Sequence, residues 1–197
     1  MTQALRMTLI KTETDPEQAL LQQIARGDED ALRTLYAAYG TSMYAYALRL
    51  TKDPSTAGEV VQQSLVAAWR GSGSFRGKSR MITWLLGIVH HKALNFLRKR
   101  EDVSLDELLV PLPAMEEAPV RMAEAHENQR LIRLGLDQLT SEQRTVLELI
   151  FFHHLSMEEA SQVLDCPIGT VKSRLFAAKS SLKGILIRQG YRLEDLL

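Results

Sequence analysis

Residues 156–183 read Ser156-Met-Glu-Glu-Ala-Ser-Gln-Val-Leu-Asp-Cys-Pro-Ile-Gly-Thr-Val-Lys-Ser-Arg-Leu-Phe-Ala-Ala-Lys-Ser-Ser-Leu-Lys183. Ser156 followed three residues later by Glu159 has the spacing of a capping box, in which each side chain satisfies the other residue's backbone N–H. Leu164-Asp165-Cys166 ends that helix, and Pro167 suits the start of the next, where its missing N–H costs nothing. Val171, Leu175, Ala178, Leu182 and Ile185 recur at steps of three or four and share one face. Thr170, Lys172, Ser173, Phe176 and Lys179 fall elsewhere. A short helix, a tight turn and a longer helix with a basic, hydroxyl-bearing outer face is the layout of a helix-turn-helix whose second helix enters a major groove. The alternative at this point is an amphipathic helical hairpin with no nucleic-acid partner.

Charge distribution favours a polyanion. The formal net charge of the 197 residues is zero, from 24 basic and 24 acidic side chains. They are not mixed evenly. Between Val60 and Arg100 no acidic residue occurs, while Arg70, Arg76, Lys78, Arg80, Lys92, Arg98, Lys99 and Arg100 do. Such a single-sign stretch is an electrostatic footprint for phosphate. Arg98-Lys99-Arg100 also complements the C-terminal dipole of its own helix, so that triplet is not counted as evidence for DNA. Residues 101–130 reverse the sign and are strongly acidic.

The rest of the chain has a helical period throughout. Pro16 follows Asp15 at a helix start, and Leu20, Leu21, Ile24 and Ala25 form a stripe stopped at Gly27. Ala31, Leu32, Leu35, Tyr36 and Tyr39 continue past Gly40 to Tyr44, Ala47 and Leu48. Asp53-Pro54-Ser55 breaks the pattern, and a third helix runs from Ala57 to Trp69. Gly71 to Ser79 holds three glycines and three serines and reads as a loop carrying Phe75. Met81 to Lys99 is helical. In 101–120 three prolines exclude a continuous helix, and the segment reads as an acidic, leucine-bearing linker. Helices follow from Arg121 to Leu139 and from Glu142 to Phe152. The expected fold is all-α: two small helical bundles, residues 16–100 and 123–197, joined by a flexible linker over 101–122 and preceded by a tail, 1–15.

Catalytic chemistry finds no support. His90-His91 and His153-His154 are adjacent pairs, and helix neighbours point about 100° apart, whereas metal pairs on helices use spacings of three or four. No phosphate-binding glycine loop, nucleophile elbow or cysteine–histidine motif is present. No metal, cofactor or enzymatic activity is expected. The single cysteine, Cys166, excludes an intramolecular disulfide. With no leader and no spanning segment in view, no membrane insertion and a cytoplasmic setting are expected.

Asp165-Cys166-Pro167-Ile168-Gly169-Thr170-Val171-Lys172-Ser173-Arg174-Leu175 resembles the signature of the promoter-reading domain of sigma-70 class sigma factors, in particular the extracytoplasmic-function (ECF) group. The likeness runs from about Leu20 to Lys183. It implies sigma domain 2 for the first bundle and sigma domain 4 for the second. It implies a transcription initiation factor that binds core RNA polymerase (β′ clamp helices and β flap) and promoter DNA and is held idle by an anti-sigma factor. Glu59, Val60, Val61, Gln62, Gln63 and Trp69 would dock on polymerase. Phe75, Arg76, His91, Lys92 and Asn95, with Lys78 and Arg80 of the basic stretch, would serve the −10 element. Lys172, Ser173 and Phe176 would read −35 base edges, with Thr170 and Arg174 on phosphates. Three departures stand out: Gly58 in the polymerase-docking segment, His91 in place of a usual asparagine, and Ala177-Ala178-Lys179 in place of Arg-Ala-Arg. A stand-alone helix-turn-helix regulator, and a sigma mimic that sequesters an anti-sigma factor, are the alternatives.

Overall fold

The computed structural model describes residues 15–77, 79–101, 135, 136 and 138–189, with the side chains of Arg100 and Glu101 excepted. The expected tail, the body of the acidic linker, most of the expected 121–139 helix, and Lys78 lie outside these residues. Among the described residues there is no β-strand, and the secondary structure is helical throughout.

Three aspartates open the first three helices. Asp15 caps α1 (Pro16–Ala25), Asp28 caps α2 (Glu29–Thr51) and Asp53 caps α3 (Pro54–Gly71), each carboxylate accepting from a first-turn N–H. This is the side-chain satisfaction that helix N-termini require. Proline at the first position of α1 and α3 adds a preset φ. It also makes α3 begin three residues before the expected Ala57. The Gly/Ser stretch is more ordered than a loop: residues 72–74 form a 3₁₀ turn, and the Ser72 and Ser74 hydroxyls donate to the carbonyls of Trp69 and Gly71.

α4 (Met81–Glu101) starts where α1 tells it to. Glu17 accepts the Met81 N–H at 3.0 Å, a cap supplied from another helix, and the Tyr39 hydroxyl donates to the same carboxylate. α1 to α4 close around Leu35, Met43, Tyr46, Val60, Met81, Leu85, Leu86 and Val89, all fully buried.

The second half contains α5 (Ser141–Leu147), a π-helical turn (Glu148–Phe152), α6 (Met157–Leu164) and α7 (Ile168–Arg188). The predicted cap at Ser156 forms, as a capping box with Glu159, and a second box is present at Thr140, with Gln143. The expected continuous helix to Phe152 instead widens to a π turn at Glu148, which buries Glu148 and Leu149 and turns Phe151 and Phe152 outward. Val146, Leu149, Ala160, Val163, Val171 and Ala178 form the core.

The two halves touch. α4 packs along α6, and the buried apolar residues of both halves form one continuous cluster. The helices meet at Gly87, where an added Cβ would lie 3.9 Å from the Val163 backbone, an ordinary van der Waals contact. The sequence, read as two tethered bundles, gave no sign of the contact.

Gly58 sits inside α3 with open space around its Cβ direction. Gly58→Ala should therefore raise unfolding stability by about 1 kcal/mol through backbone entropy alone. Urea denaturation measures it, and an unchanged or lower midpoint would show a constraint on that glycine.

Candidate nucleic-acid interface

In the helix-turn-helix, Asp165 ends α6 in the left-handed region (φ 48°), and the Ser161 hydroxyl ties the turn by donating to the Cys166 carbonyl at 2.6 Å. α6 buries Ala160 and Val163, while α7 buries Val171, Leu175, Ala178 and Ile185. The predicted stripe is thus the packed face, with Leu182 half-buried at its edge. The opposite face carries Lys172, Ser173 and Phe176 to solvent, and Phe176 is 76% exposed although it is a large apolar side chain. An aromatic and a lysine on the same outer face offer a stacking surface and a cation to a nucleic acid. Lys179 extends this basic face, its Nζ 5.2 Å from the centre of the exposed Phe151 ring.

Two members of the predicted −35 set sit differently. Thr170 is half-buried at the first turn, and its carbonyl accepts from the Ser173 hydroxyl at 3.0 Å. Arg174 is drawn sideways into an ion pair with Glu142 of α5 at 2.7 Å. It lines the cleft between the halves rather than the outer face of Lys172 and Phe176.

In the first half, Phe75 is half-buried with its ring 5.1 Å from that of Trp84. Arg76, His91 and Asn95 are exposed, and Lys92 is half-buried. Lys92 borders a groove between α3 and α4 with Gln62, Gln63, Val66, Ala67 and Arg70. Residues expected to touch polymerase and residues expected to touch DNA therefore meet along one groove. Glu59 and Trp69 are exposed on α3. Val60 and Val61 are not: both are buried, at 0% and 5% exposure. α2 and α4 pack against α3, so in this structure these two expected polymerase-docking side chains do not face outward. Val66, 43% exposed on the same helix, is the apolar residue that does face outward and was not anticipated.

Arg80 departs most from expectation. Its guanidinium donates to both carboxylate oxygens of Glu159 on α6, the Nη2–Oε2 distance being 2.8 Å, and to the His154 carbonyl at 3.2 Å. Thr83 donates to the same carboxylate at 2.9 Å. Glu159 also accepts the Ser156 N–H at 2.9 Å in its capping box. Hydrogen bonds from Arg80, opposed by partial burial, hold the Glu159 carboxyl down at about 2.

A second group of polar residues crosses between the halves, and of its members the sequence singles out only His90 and His153, as parts of adjacent histidine pairs. Arg49 of α2 pairs with the buried Glu148 at 2.7 Å and lies over the Phe152 ring. Tyr46 shares a 3.0 Å hydrogen bond with His90 Nδ1 and meets the His153 ring edge-on. Burial lowers His90 and His153 to about 4, whereas burial raises Glu148 to about 7 against the opposing pull of Arg49. These residues are far apart in sequence and belong to no motif, so no spacing signal marks them.

A helical protein that offers the outer face of a helix-turn-helix, with a second basic, aromatic-bearing half beside it, falls in the class of DNA-binding proteins. Residues 35–102 match the family model for sigma-70 region 2, and residues 129–182 match the one for sigma-70 region 4. The RNA polymerase sigma-H factor of Pseudomonas aeruginosa is 32% identical, over 85% of this chain and 92% of its own. The ECF RNA polymerase sigma-E factor of Salmonella typhimurium is 28% identical, over 84% of this chain and 92% of its own. Among solved structures, the sigma factor RpoE in complex with the anti-sigma factor NepR from Bartonella quintana superposes with a TM-score of 0.64 at 25% identity, covering 81% of this chain and 98% of that one. CnrH, in complex with the cytosolic domain of CnrY, gives 0.64 at 24% identity, over 88% of this chain and 99% of its own, a likeness of fold. The chain belongs to the sigma-70 family of RNA polymerase sigma factors, in its ECF group.

The buried histidines set a pH dependence. Each folds as neutral imidazole with its pKa below the ordinary 6.5, so the unfolded chain binds more protons and stability falls as pH drops from about 6.5 toward 4. Glu148 acts oppositely, since its raised pKa makes the folded state gain stability as pH falls from about 7 to 4.5. Two histidines outweigh one carboxyl, leaving a net loss of roughly 1–2 kcal/mol between pH 7.5 and 5. His153→Gln should flatten or abolish that loss in thermal melts across this range. An unchanged slope would mean that His153 is solvated in the folded chain.

Proposed function

We propose that this chain is an alternative sigma factor that joins core RNA polymerase through its first half and reads promoters with both halves. Sigma domain 2 would span 16–100 and sigma domain 4 would span 123–197, with the acidic segment 101–122 between them. The observation that carries the reading is the outward presentation of Lys172, Ser173 and Phe176 on a helix whose opposite face is fully packed. Lys172 and Ser173 supply donors for base edges at −35, Phe176 an apolar contact, and Thr170 a phosphate contact at the helix start. Arg174 reaches phosphate once it leaves Glu142.

Exposed Glu59, Gln62, Gln63 and Trp69 form the polymerase-facing side of α3. Phe75, Arg76, His91, Lys92 and Asn95, together with Lys78 and Arg80, receive the −10 strand. Base stacking on aromatic side chains contributes about 1–3 kcal/mol per base, which supports Phe75 as the residue that captures an unstacked base. For that it must leave its contact with Trp84. Catalysis stays with the polymerase, and the sigma factor transfers no group. An anti-sigma factor is the proposed regulator, supported by the NepR complex of the Bartonella relative. The proposed setting is the cytoplasm, where polymerase works. No helix among the described residues is long and apolar enough to cross a membrane.

Run-off transcription with purified core polymerase on the gene's own upstream region tests the proposal. Product that depends on this chain is expected. Its absence, beside product from a control sigma factor, would refute it. In the same assay Lys172→Ala should lower promoter-specific output by the equivalent of roughly 1–3 kcal/mol if the lysine reads a base. Unchanged promoter selectivity would remove Lys172 from the base-reading set.

A further inference from the structure

We infer that Arg80, Thr83 and Glu159 form an intramolecular latch that holds the two halves shut and withholds Arg80 from nucleic acid until the halves part. The inference rests on the proposed role of Arg80 as a phosphate ligand. In the closed form its Nε and Nη2 are occupied. Both oxygens of Glu159 and the His154 carbonyl accept from it, so a carboxylate of the second half occupies the place a phosphate would take.

The site is built from both sides. Glu17 and α1 fix the start of α4 and so the position of Arg80 one residue earlier. On the other side the capping box fixes Glu159, through the Ser156 N–H and the Glu159 N–H to Ser156 Oγ at 3.1 Å. His154 offers its carbonyl to Arg80 from a left-handed backbone conformation, φ 52°, which only the surrounding structure can sustain. A guanidinium beside a helix N-terminus opposes the helix dipole. Glu159 reverses that penalty, and without its charge Arg80 would face the start of α6 uncompensated.

The ion pair does not close the molecule alone, because half-exposed pairs contribute little. Behind it α4 and α6 meet closely at Gly87 and Val163. Arg49 and Glu148 bridge the halves at a separate point. The latch sets the balance between a closed and an open form that apolar contact and a few polar pairs keep within reach of each other.

Two substitutions act on it independently. Glu159→Gln keeps an oxygen for the Ser156 N–H, since glutamine serves equally in a capping box, but removes the charge that Arg80 pairs with. Gly87→Trp leaves every charge in place and wedges the helices apart. Gly87→Ala is the control, because a Cβ fits at 3.9 Å. The full chain and the three variants would be compared by small-angle X-ray scattering, and by fluorescence anisotropy with a labelled oligo-dT single strand.

Both Glu159→Gln and Gly87→Trp should increase the radius of gyration, and Gly87→Ala should not. If about a tenth of the wild-type chain is open, full opening tightens single-strand binding by about tenfold. Equal tightening in Gly87→Trp shows that the gain comes from opening and not from a lost negative charge. Wild-type dimensions in Glu159→Gln would overturn the latch, whatever Gly87→Trp does. Expansion without tighter binding would leave the latch standing and overturn the reading of Arg80 as a nucleic-acid ligand.

Discussion

The packing of α4 against α6 is the constraint on which the rest of the molecule depends. α4 is the last helix of the first half and carries His91, Lys92 and Asn95. α6 is the first helix of the helix-turn-helix and sets the position of α7. Joining these two fixes both candidate DNA faces in one frame. Polar groups at the edge of the contact are matched, because Glu159 can satisfy Arg80, Thr83 and its own helix start together. A carboxylate with this many donors has little reason to be protonated above pH 3, so the contact persists through the ordinary pH range.

The helix-turn-helix was legible from the sequence because local rules decide it. A capping box, a proline at the turn and apolar residues at three- and four-residue steps act over distances shorter than the motif itself. The same holds for Asp15, which precedes Pro16 at the start of α1. What the sequence did not show acts over long separations. Arg80 and Glu159 stand 79 positions apart, and neither breaks a pattern by being charged. Val60 and Val61 show another limit. Resemblance placed them on a docking surface, yet neighbours on a helix point about 100° apart, and α3 is covered on both of those sides. Phe75 looked like a loop aromatic among Ser, Arg and Gly, and only the fold brings Trp84 beneath it. The π turn at Glu148 likewise has no compositional mark, and its effect is to bring Glu148 to Arg49.

Burying Tyr46, Arg49, His90, Glu148 and His153 between helices is costly unless the groups pair. Here they do so partly: Arg49 with Glu148, and Tyr46 with His90, while His153 Nε2 has no hydrogen-bond partner and stands 3.8 Å from Glu148. Incomplete satisfaction suits a contact that has to come apart. A seamless apolar interface of the same extent would resist opening, and the proposed placement of the halves on two promoter elements requires them to separate. Arg174 lines the same cleft but is held by Glu142 of its own half, so parting the halves uncovers that pair without breaking it.

The central claim is that the isolated chain rests closed and that its halves part on core RNA polymerase, as the proposed function requires. Double electron–electron resonance tests this directly, with spin labels on Gln22→Cys in α1 and Ser180→Cys in α7, both exposed positions, in a Cys166→Ser background. The account predicts one narrow distance in the free chain, replaced by a longer one on addition of core RNA polymerase. A broad, long distribution in the free chain, or a narrow distance unchanged by polymerase, would contradict it.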